Sequence, residues 1–426
     1  MKHRREVFIT AFALFSLFFG AGNLILPPFL GYNAGSQWFW VTIGFALSAV
    51  VIPILAISAH ARLQGTMMDF ATPISKGFAL IYCLSIYAIS IALPAPRTAA
   101  VTHEMAIAPS FAWSSLWTST VYFILVLVFA WNRTKLVGLI GKYLTPLILI
   151  ILLLIIVLGL FSEAPPLRDS LIGFGLSAGI LEGYQTFDAI GGVVVGGVIV
   201  ISLRLYSRTH TIDRTYIISR AGLLAGLGLF AIYAGLIALG SQYSGGELMT
   251  NRSELLTQLS IDTLGGVGTT FLKVLVALAC FTTAVGIVTG TADFIQGLFK
   301  DRVLAYRITA IIGAILGVVI GQFDVSYIIE VAVPALMFIY PLTIVLILLN
   351  TIPKQWTSDL LFRAVVVATL LFSIPDFIAS VGGMAEAAQL QEYIPLAQHS
   401  LGWLLPALLT GIAVFVVQLR TAKRSS

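Results

Sequence analysis

The sequence predicts an all-α integral membrane protein with twelve membrane-spanning helices, and three observations support this. Of 426 residues, 58% are hydrophobic and only 10% are charged, whereas soluble domains are about 25% charged. The mean hydropathy is +0.99. Apolar stretches of about 20 residues, the length that crosses a bilayer as a helix, recur from one end of the chain to the other. Together these observations exclude a soluble globular protein.

Twelve apolar stretches are long enough to span a bilayer. They lie at 7–31, 38–61, 77–96, 115–132, 143–161, 172–201, 216–240, 267–296, 304–321, 327–349, 361–381 and 400–418. The first follows a basic N-terminus that resembles a signal peptide, but no small-residue cleavage site follows a short apolar core, so we expect a retained helix. One connection, 251–263, starts like a capping box and leaves a short surface helix and a plain loop equally open.

The basic residues support this count and orient the chain. With the N-terminus in the cytoplasm, all of the 24 Lys and Arg residues fall on the cytoplasmic side except Arg97, Arg168, Arg252 and Lys273. This bias follows the positive-inside rule, and omitting one span would destroy the alternation. We therefore expect both termini in the cytoplasm. The formal net charge of +5 then reflects membrane topology and does not indicate a nucleic-acid partner.

The sequence carries no pattern that indicates an enzyme. Cys83 and Cys280 both lie in apolar stretches, and the five histidines are scattered without metal-ligand spacing. We find no nucleophile motif, no paired acid and base, and no stretch that resembles the selectivity filter of a channel. We expect neither catalysis nor an organic cofactor. Beyond the lipid bilayer, no obligate protein partner is predicted.

The first span is interrupted at the depth where a membrane helix should be continuous. Residues 18–28 read FFGAGNLILPP, with two glycines, an asparagine and two prolines. Glycine and proline are the poorest helix formers, and unpaired backbone groups are tolerated in a membrane only where protein or a water-filled cavity satisfies them. The pattern predicts a broken helix that binds a ligand. A kink used only for helix packing is the alternative.

A second interruption occurs five spans later. Residues 183–192 read GYQTFDAIGG, again polar and glycine-rich within an apolar stretch. Interruptions in the first and sixth spans indicate two inverted five-helix repeats with a binding site between them. We expect the repeats at 1–165 and 166–350, followed by two accessory helices within 351–426. The half-helix N-termini suit a carboxylate, and the carbonyls at the breaks suit a small cation.

Asp188 is the charged residue that stands out, because an acid within a membrane span is costly. We interpret it as functional, in ion coupling or in organising the break, with a structural hydrogen bond to loosened backbone as the alternative. Glu182, Asp293 and Glu330 lie nearer to span ends, where solvation explains them. Arg97 is expected at the exterior end of the third span, as a gate to a vestibule or as a plain interfacial residue.

The eighth span carries two adjacent threonines, Thr282 and Thr283, one turn after Ala279. Hydroxyl and carbonyl oxygens are the hard ligands that alkali cations prefer. Threonines in membrane helices also bond their own i−4 carbonyls. The spacing alone therefore leaves a cation site and ordinary helix geometry open.

The stretch 18–28, followed by Leu30 and Gly31, resembles the opening signature of the bacterial branched-chain amino acid:cation symporters, also called transport system II carrier proteins. Four further matches follow in order along the chain: 91–99 (IALPAPRTA), 183–189 (GYQTFDA), 333–336 (VPAL) and 340–342 (YPL). The resemblance implies a transporter of the bacterial cytoplasmic membrane that imports leucine, isoleucine and valine. The driving ion would be Na⁺ or, in some members, H⁺.

That family is similar to the leucine-transporter-like fold, which implies specific site residues. For Na⁺, the resemblance implies the carbonyls of Ser16, Phe19 and Ala279 with the hydroxyls of Thr282 and Thr283. For the amino and carboxylate groups of the substrate, it implies Ala21, Gly22, Asn23, Gly183, Tyr184, Gln185, Thr186 and Asp188. Tyr87, in the third span, would cap the carboxylate, or else faces lipid or the protein core.

Two departures from the family pattern concern side-chain selectivity. Phe187 stands where a methionine is usual, and Gly191 and Gly192 stand where bulkier residues are usual. The alternatives to a Na⁺ symporter are an H⁺-coupled carrier with Asp188 as the titrating group, an amino-acid exchanger, and a sensor that binds amino acids but no longer transports them.

Overall fold

The computed structural model of the protein describes residues 2–132, 136–162, 166–194, 196–197, 211–243, 249–382 and 391–424. All regular secondary structure in these ranges is helical, which confirms the all-α prediction. Part of the predicted sixth span (195 and 198–201) and the end of the first predicted repeat (163–165) lie outside the described residues.

In the described ranges before residue 163, the structure has nine α-helices. They are α1 (Lys2–Phe18), α2 (Ala21–Ala34), α3 (Trp38–Ala46), α4 (Ile52–Leu63), α5 (Met67–Ala71), α6 (Lys76–Ala92), α7 (Pro94–Thr102), α8 (Ser115–Asn132) and α9 (Leu136–Leu160). A π-helical turn, Leu47–Val51, joins α3 to α4, and another, His103–Ile107, extends α7.

The second part of the chain continues the helical pattern. Its helices are α10 (Gly175–Tyr184), α11 (188–194), α12 (Thr211–Ser241), α13 (Arg252–Gln296), α14 (Arg302–Gly321), α15 (Val325–Thr351), α16 (Asp359–Ser380) and α17 (Leu404–Arg424).

Seven helical stretches in the described ranges are long and apolar enough to cross a membrane, judged by length and composition. They are Gly22–Leu63, Lys76–Ile107, Thr215–Ser241, Arg252–Gln296, Arg302–Gly321, Val325–Thr351 and Asp359–Ser380. Three shorter apolar helices accompany them, at Ser115–Trp131, Pro146–Leu160 and Leu404–Gln418. The individual helices at the interruptions are short, since α1, α2 and α10 have 17, 14 and 10 residues, against about 20 for a typical membrane-spanning helix. The count of twelve stays a prediction.

Helices α2 and α12 approach each other so closely that only glycine fits at two positions. A Cβ on Gly31 would collide with the backbone carbonyl of Ile237, and one on Gly240 would collide with that of Pro28. Small residues at helix contacts are the usual way in which membrane helices bring their backbones together. This contact holds the second half of α2 against α12.

Helix α10 is packed in a similar way against α3 and the π-helical turn that follows it. A Cβ on Gly179 would collide with the Val41 carbonyl, and one on Gly183 with the hydroxyl of Ser48. That hydroxyl donates a hydrogen bond to the Ile180 carbonyl at 2.9 Å. The end of α10 is therefore positioned by tight contacts on its neighbours.

Helix α13 consists of two helical segments that meet at Gly265, where φ is +68°. Its first segment confirms the helical alternative for 251–263, since the Asn251 side chain accepts hydrogen bonds from the Ser253 and Glu254 amides at 2.8 and 3.1 Å. The segment is amphipathic, since Leu255 is fully buried whereas Glu254 and Asp262 are exposed, as expected for a helix at the surface. Its apolar residues pack into the protein and so place Arg252, at its start, near the other helices.

Candidate functional site

The first predicted interruption is present. Helix α1 ends at Phe18 and α2 begins at Ala21, with Gly20 in an extended conformation (φ −112°, ψ −173°). The two prolines do not add to the break, since Pro27 and Pro28 lie inside α2. Because Pro27 has no N–H, it removes the donor that would otherwise bond the Asn23 carbonyl in the helix. The start of α2 thus combines the free N–H groups of a helix N-terminus with a carbonyl that lacks its helical donor.

The second predicted interruption is also present. Helix α10 ends at Tyr184, and helical backbone resumes at Asp188 after a turn in which Phe187 has a φ of +62°. Thr186 stabilises this turn. Its hydroxyl donates to the Gly183 carbonyl at 2.8 Å and accepts from the Asp188 amide at 3.2 Å. A non-glycine residue in the left-handed region is uncommon and marks a conformation that the surroundings impose.

Three buried side chains join the two interruptions. Asn23 donates from Nδ2 to the Asp188 carboxylate at 2.7 Å and also contacts the hydroxyl of Tyr233 on α12. Tyr233 in turn donates to the same carboxylate oxygen at 3.2 Å. The exposed fractions of Asn23, Asp188 and Tyr233 are 2%, 3% and 1%. The structure therefore brings the predicted residues Asn23 and Asp188 together and adds Tyr233, which the sequence did not single out.

The structure contradicts the expected position of Arg97 at the exterior end of the third span. Its side chain is only 4% exposed, and its Nη1 donates to the Gln185 carbonyl at 2.7 Å. The span continues past it to Ile107. The prolines before Arg97 do not end the span because Pro94 is the first residue of α7, a position where a helix tolerates proline.

The guanidinium of Arg97 lies between the two interruptions. A Cβ on Gly22 would lie 2.6 Å from its Nη2 and 3.1 Å from its Cζ, so only glycine leaves room for it there. On another side, Cζ lies 5.3 Å from the centre of the Phe187 ring, in cation–π range. Two buried polar atoms here, Arg97 Nε and Gln185 Oε1, have no hydrogen-bond partner among the described residues.

Of the predicted cation ligands on α13, Thr283 lies beside the first interruption. A Cβ on Gly20 would lie 3.7 Å from Thr283 Cγ2 and 3.8 Å from its Oγ1, so α13 meets the break between α1 and α2 at this threonine. The Thr282 hydroxyl donates to the Ala279 carbonyl at 2.9 Å. The remaining predicted ligands, Ser16 and Phe19, stand in and just after the last turn of α1. The ligand set stays a prediction.

Tyr87 is not brought to this group of residues. Its ring stacks on Phe294 with the centroids 4.5 Å apart. Tyr87 precedes Arg97 by ten positions, which corresponds to about 15 Å along a helix. Of its two predicted environments, the protein core is the one that the structure supports. The side chain from this span that reaches the interruptions is Arg97.

Glu182 is not simply solvated. It forms an ion pair with Arg252 at 3.2 Å, with both side chains less than one-fifth exposed. Arg252 also lies over the Phe29 ring, with Cζ 4.7 Å from its centre. This contact joins the first segment of α13 to α10 and α2. By contrast Asp293 and Glu330 are exposed, in agreement with the expectation for residues near span ends.

Comparisons with known proteins give a consistent result over the whole chain. A family profile described as "branched-chain amino acid transport protein" matches residues 3–421. The branched-chain amino acid permease BrnQ of Salmonella typhimurium is 32% identical over 423 residues, which cover 97% of this chain and 95% of BrnQ. The branched-chain amino acid transport system 2 carrier protein of Pseudomonas aeruginosa is 33% identical over 413 residues, covering 94% and 93% of the two chains.

Among solved structures, this chain resembles Mhp1, a nucleobase-cation-symport-1 family transporter, in a closed conformation with bromovinylhydantoin bound. The TM-score is 0.61 at 14% sequence identity, and the match covers 98% of this chain and 93% of Mhp1. At this identity the likeness concerns the fold alone.

Proposed function

The chain belongs to the branched-chain amino acid transport protein family, and we propose that it imports leucine, isoleucine and valine as a cation-coupled symporter of the bacterial cytoplasmic membrane. The family and the matched relatives are membrane transporters, so the protein is an integral membrane transporter and not an enzyme.

The observation that carries the proposal is the pair of interrupted helices held together by the Asn23–Asp188 hydrogen bond. An amino acid is a zwitterion, and it needs donors for its carboxylate and acceptors for its ammonium group. The N-terminus of α2 supplies donors. Two acceptors suit the ammonium group. The backbone carbonyl of Asn23 has no donor within its helix, because Pro27 lacks an N–H. The side-chain oxygen of Gln185 has no donor among the described residues. The breaks therefore suit such a substrate.

The proposed architecture has twelve spans, with two inverted five-helix repeats at 1–165 and 166–350 and two accessory helices in 351–426. Interruptions in the first and sixth predicted spans support it, because a repeat of five helices inserts in opposite orientations. Both termini then lie in the cytoplasm, as the distribution of basic residues requires.

For coupling, we propose a Na⁺ site of five oxygens, from the Ser16, Phe19 and Ala279 carbonyls and the Thr282 and Thr283 hydroxyls. The approach of Thr283 to Gly20 supports a cation that joins α13 to the first interruption. A cation there would favour the arrangement of the break that binds substrate. By reciprocity, bound substrate would raise the affinity for the cation by the same factor.

A second candidate is an H⁺-coupled carrier, and the burial of Asp188 favours it. This carboxylate lies at the junction of both interruptions, with hydrogen bonds from Asn23 and Tyr233. Buried acids in membrane transporters commonly act as proton relays. In this version Asp188 exchanges a proton during each cycle and the oxygen cluster near Thr283 binds no cation.

Radiolabelled isoleucine uptake into proteoliposomes tests the proposal. One set of vesicles receives an inward Na⁺ gradient, and a matched set without Na⁺ receives a pH gradient. Accumulation driven by Na⁺, abolished by a Na⁺ ionophore, is the expected result. Accumulation driven only by the pH gradient would replace Na⁺ by H⁺ and shift the coupling to Asp188. Binding of isoleucine without accumulation under either gradient would contradict a transport function.

A further inference from the structure

The buried guanidinium of Arg97 has more donors than partners. An arginine side chain carries five N–H groups, yet the hydrogen bond from Nη1 to the Gln185 carbonyl is the one that the structure shows. Its Nε is buried without an acceptor in the described part of the chain. No carboxylate of the described residues forms an ion pair with it. The Asp188 carboxylate attracts the guanidinium only at longer range than an ion pair, and it already accepts hydrogen bonds from Asn23 and Tyr233. A buried cation without a paired counter-charge is strongly unfavourable, so a further negatively charged partner is expected here.

The neighbouring backbone points to the same kind of partner. Nη2 lies against Gly22, in the first turn of α2. The N–H groups of this turn have no intrahelical acceptors and carry the positive end of the helix dipole. A guanidinium and a helix N-terminus this close repel each other unless an anion contacts both. An anion bound there would stabilise both.

The guanidinium is also held in an orientation that suits a flat anion. Arg97 Cζ lies 5.3 Å from the centre of the Phe187 ring, and Nη1 is fixed by its hydrogen bond to the Gln185 carbonyl. A planar guanidinium with free N–H groups pairs best with a carboxylate, which accepts two parallel hydrogen bonds. The Phe187 ring gives the guanidinium a flat support.

We propose that Arg97 binds the α-carboxylate of the transported amino acid and holds it against the N-terminus of α2. This inference rests on the proposed function, because it names a further residue of the same substrate site. It gives to Arg97 the task that the family resemblance offered as one alternative for Tyr87. The acceptors Gln185 Oε1 and the Asn23 carbonyl then lie on the side where the ammonium group binds.

The test compares leucine with leucinamide, which keeps the ammonium group and the side chain but has no carboxylate charge. Purified protein in detergent is titrated with each ligand, and apparent dissociation constants are taken from the ligand-induced rise of the thermal unfolding midpoint. The unaltered protein is expected to prefer leucine. In Arg97→Gln, leucine affinity should fall about 10- to 100-fold, the effect of losing hydrogen bonds to a charged group, while leucinamide affinity stays the same. The leucine affinity of Arg97→Lys should lie between that of the unaltered protein and that of Arg97→Gln.

The matched control is Arg307→Gln, the same substitution at an exposed arginine that stacks on Trp131; it should keep the leucine preference of the unaltered protein. An unchanged ratio of leucine affinity to leucinamide affinity in Arg97→Gln would overturn the assignment. This includes the outcome in which both affinities rise by the same factor, because Arg97 would then only repel the ammonium group that the two ligands share. If Arg97→Gln does not fold, the Arg97→Lys variant takes its place. A leucine-to-leucinamide affinity ratio equal to that of the unaltered protein would then overturn the assignment. Failure of the unaltered protein to bind any branched-chain amino acid would instead overturn the proposed function.

Discussion

At the scale of single residues, the site depends on polar side chains that a membrane protein cannot bury without partners. Asn23 and Asp188 satisfy each other at 2.7 Å, and Tyr233 supplies a further hydrogen bond. The sequence identified the first two because polar residues within apolar stretches are costly and conspicuous. It did not identify Tyr233, because an amphipathic tyrosine is ordinary in such a stretch.

The threonines of α13 allow a residue-scale prediction about the coupling ion. Thr283→Ala should raise the Na⁺ concentration for half-maximal isoleucine uptake about tenfold, because one ligand of the cation is lost. The measurement is initial uptake into proteoliposomes as a function of external Na⁺.

The control for this prediction is Thr289→Ala in the same helix. The Thr289 hydroxyl donates to its own helix, at 2.7 Å from the Val285 carbonyl, so the Na⁺ dependence should not change. If the Na⁺ concentration for half-maximal uptake is the same in the two variants, Thr283 is not a ligand of the cation.

At the scale of helices, the two breaks are kept in place by close backbone contacts on either side. Helix α2 is held by α12 through Gly31 and Gly240, and α10 is held by α3 and its π-helical turn through Gly179 and Gly183. An interrupted helix loses its own backbone hydrogen bonds at the break. Its ends therefore need neighbours that prevent them from moving, and the glycines permit the necessary approach.

A helix-scale prediction follows for Gly31. Gly31→Ala places a methyl group against the Ile237 backbone carbonyl, and since a backbone cannot move aside cheaply, the substitution should destabilise the protein by about 1–3 kcal/mol. The thermal unfolding midpoint in detergent should fall accordingly.

Gly290→Ala in α13 is the matched comparison. A Cβ at Gly290 would have no neighbouring atom within 4 Å, so the change should leave the midpoint the same or raise it slightly, since alanine is the better helix former. An unfolding midpoint that falls equally in both variants would mean that the α2–α12 contact is not the cause.

At the scale of the whole molecule, the arrangement of helices decides what can reach the site. The Arg252–Glu182 ion pair and the stacking of Arg252 on Phe29 join three helices on one side of the interruptions. If the chain transports its substrate by alternating access, as we propose, these contacts should separate when the site opens on that side.

The proposed topology allows a prediction for the whole chain. With an even number of spans, a cysteine appended to the C-terminus should react with a membrane-impermeant maleimide only after the bacterial cells are opened. Ser110→Cys, in the connection after the third span, should react in intact cells. The native cysteines, Cys83 and Cys280, should react little with the maleimide because both are buried. Reaction of the C-terminal cysteine in intact cells would contradict the cytoplasmic C-terminus.

The sequence by itself determined the features that depend on local composition. Membrane class, helical content, the two interruptions and the importance of Asn23 and Asp188 all follow from single stretches, because a glycine or an acid within an apolar run has the same cost in any fold.

Only the tertiary structure decided which distant residues meet. Arg97 and Gln185 are 88 positions apart and Asn23 and Tyr233 are 210 apart, and no local pattern reports such contacts. The misplacement of Arg97 has a similar origin. Whether two prolines end a helix or begin the next one depends on what packs around them, and here the space beside Gly22 and above Phe187 accepts the guanidinium into the centre of the protein.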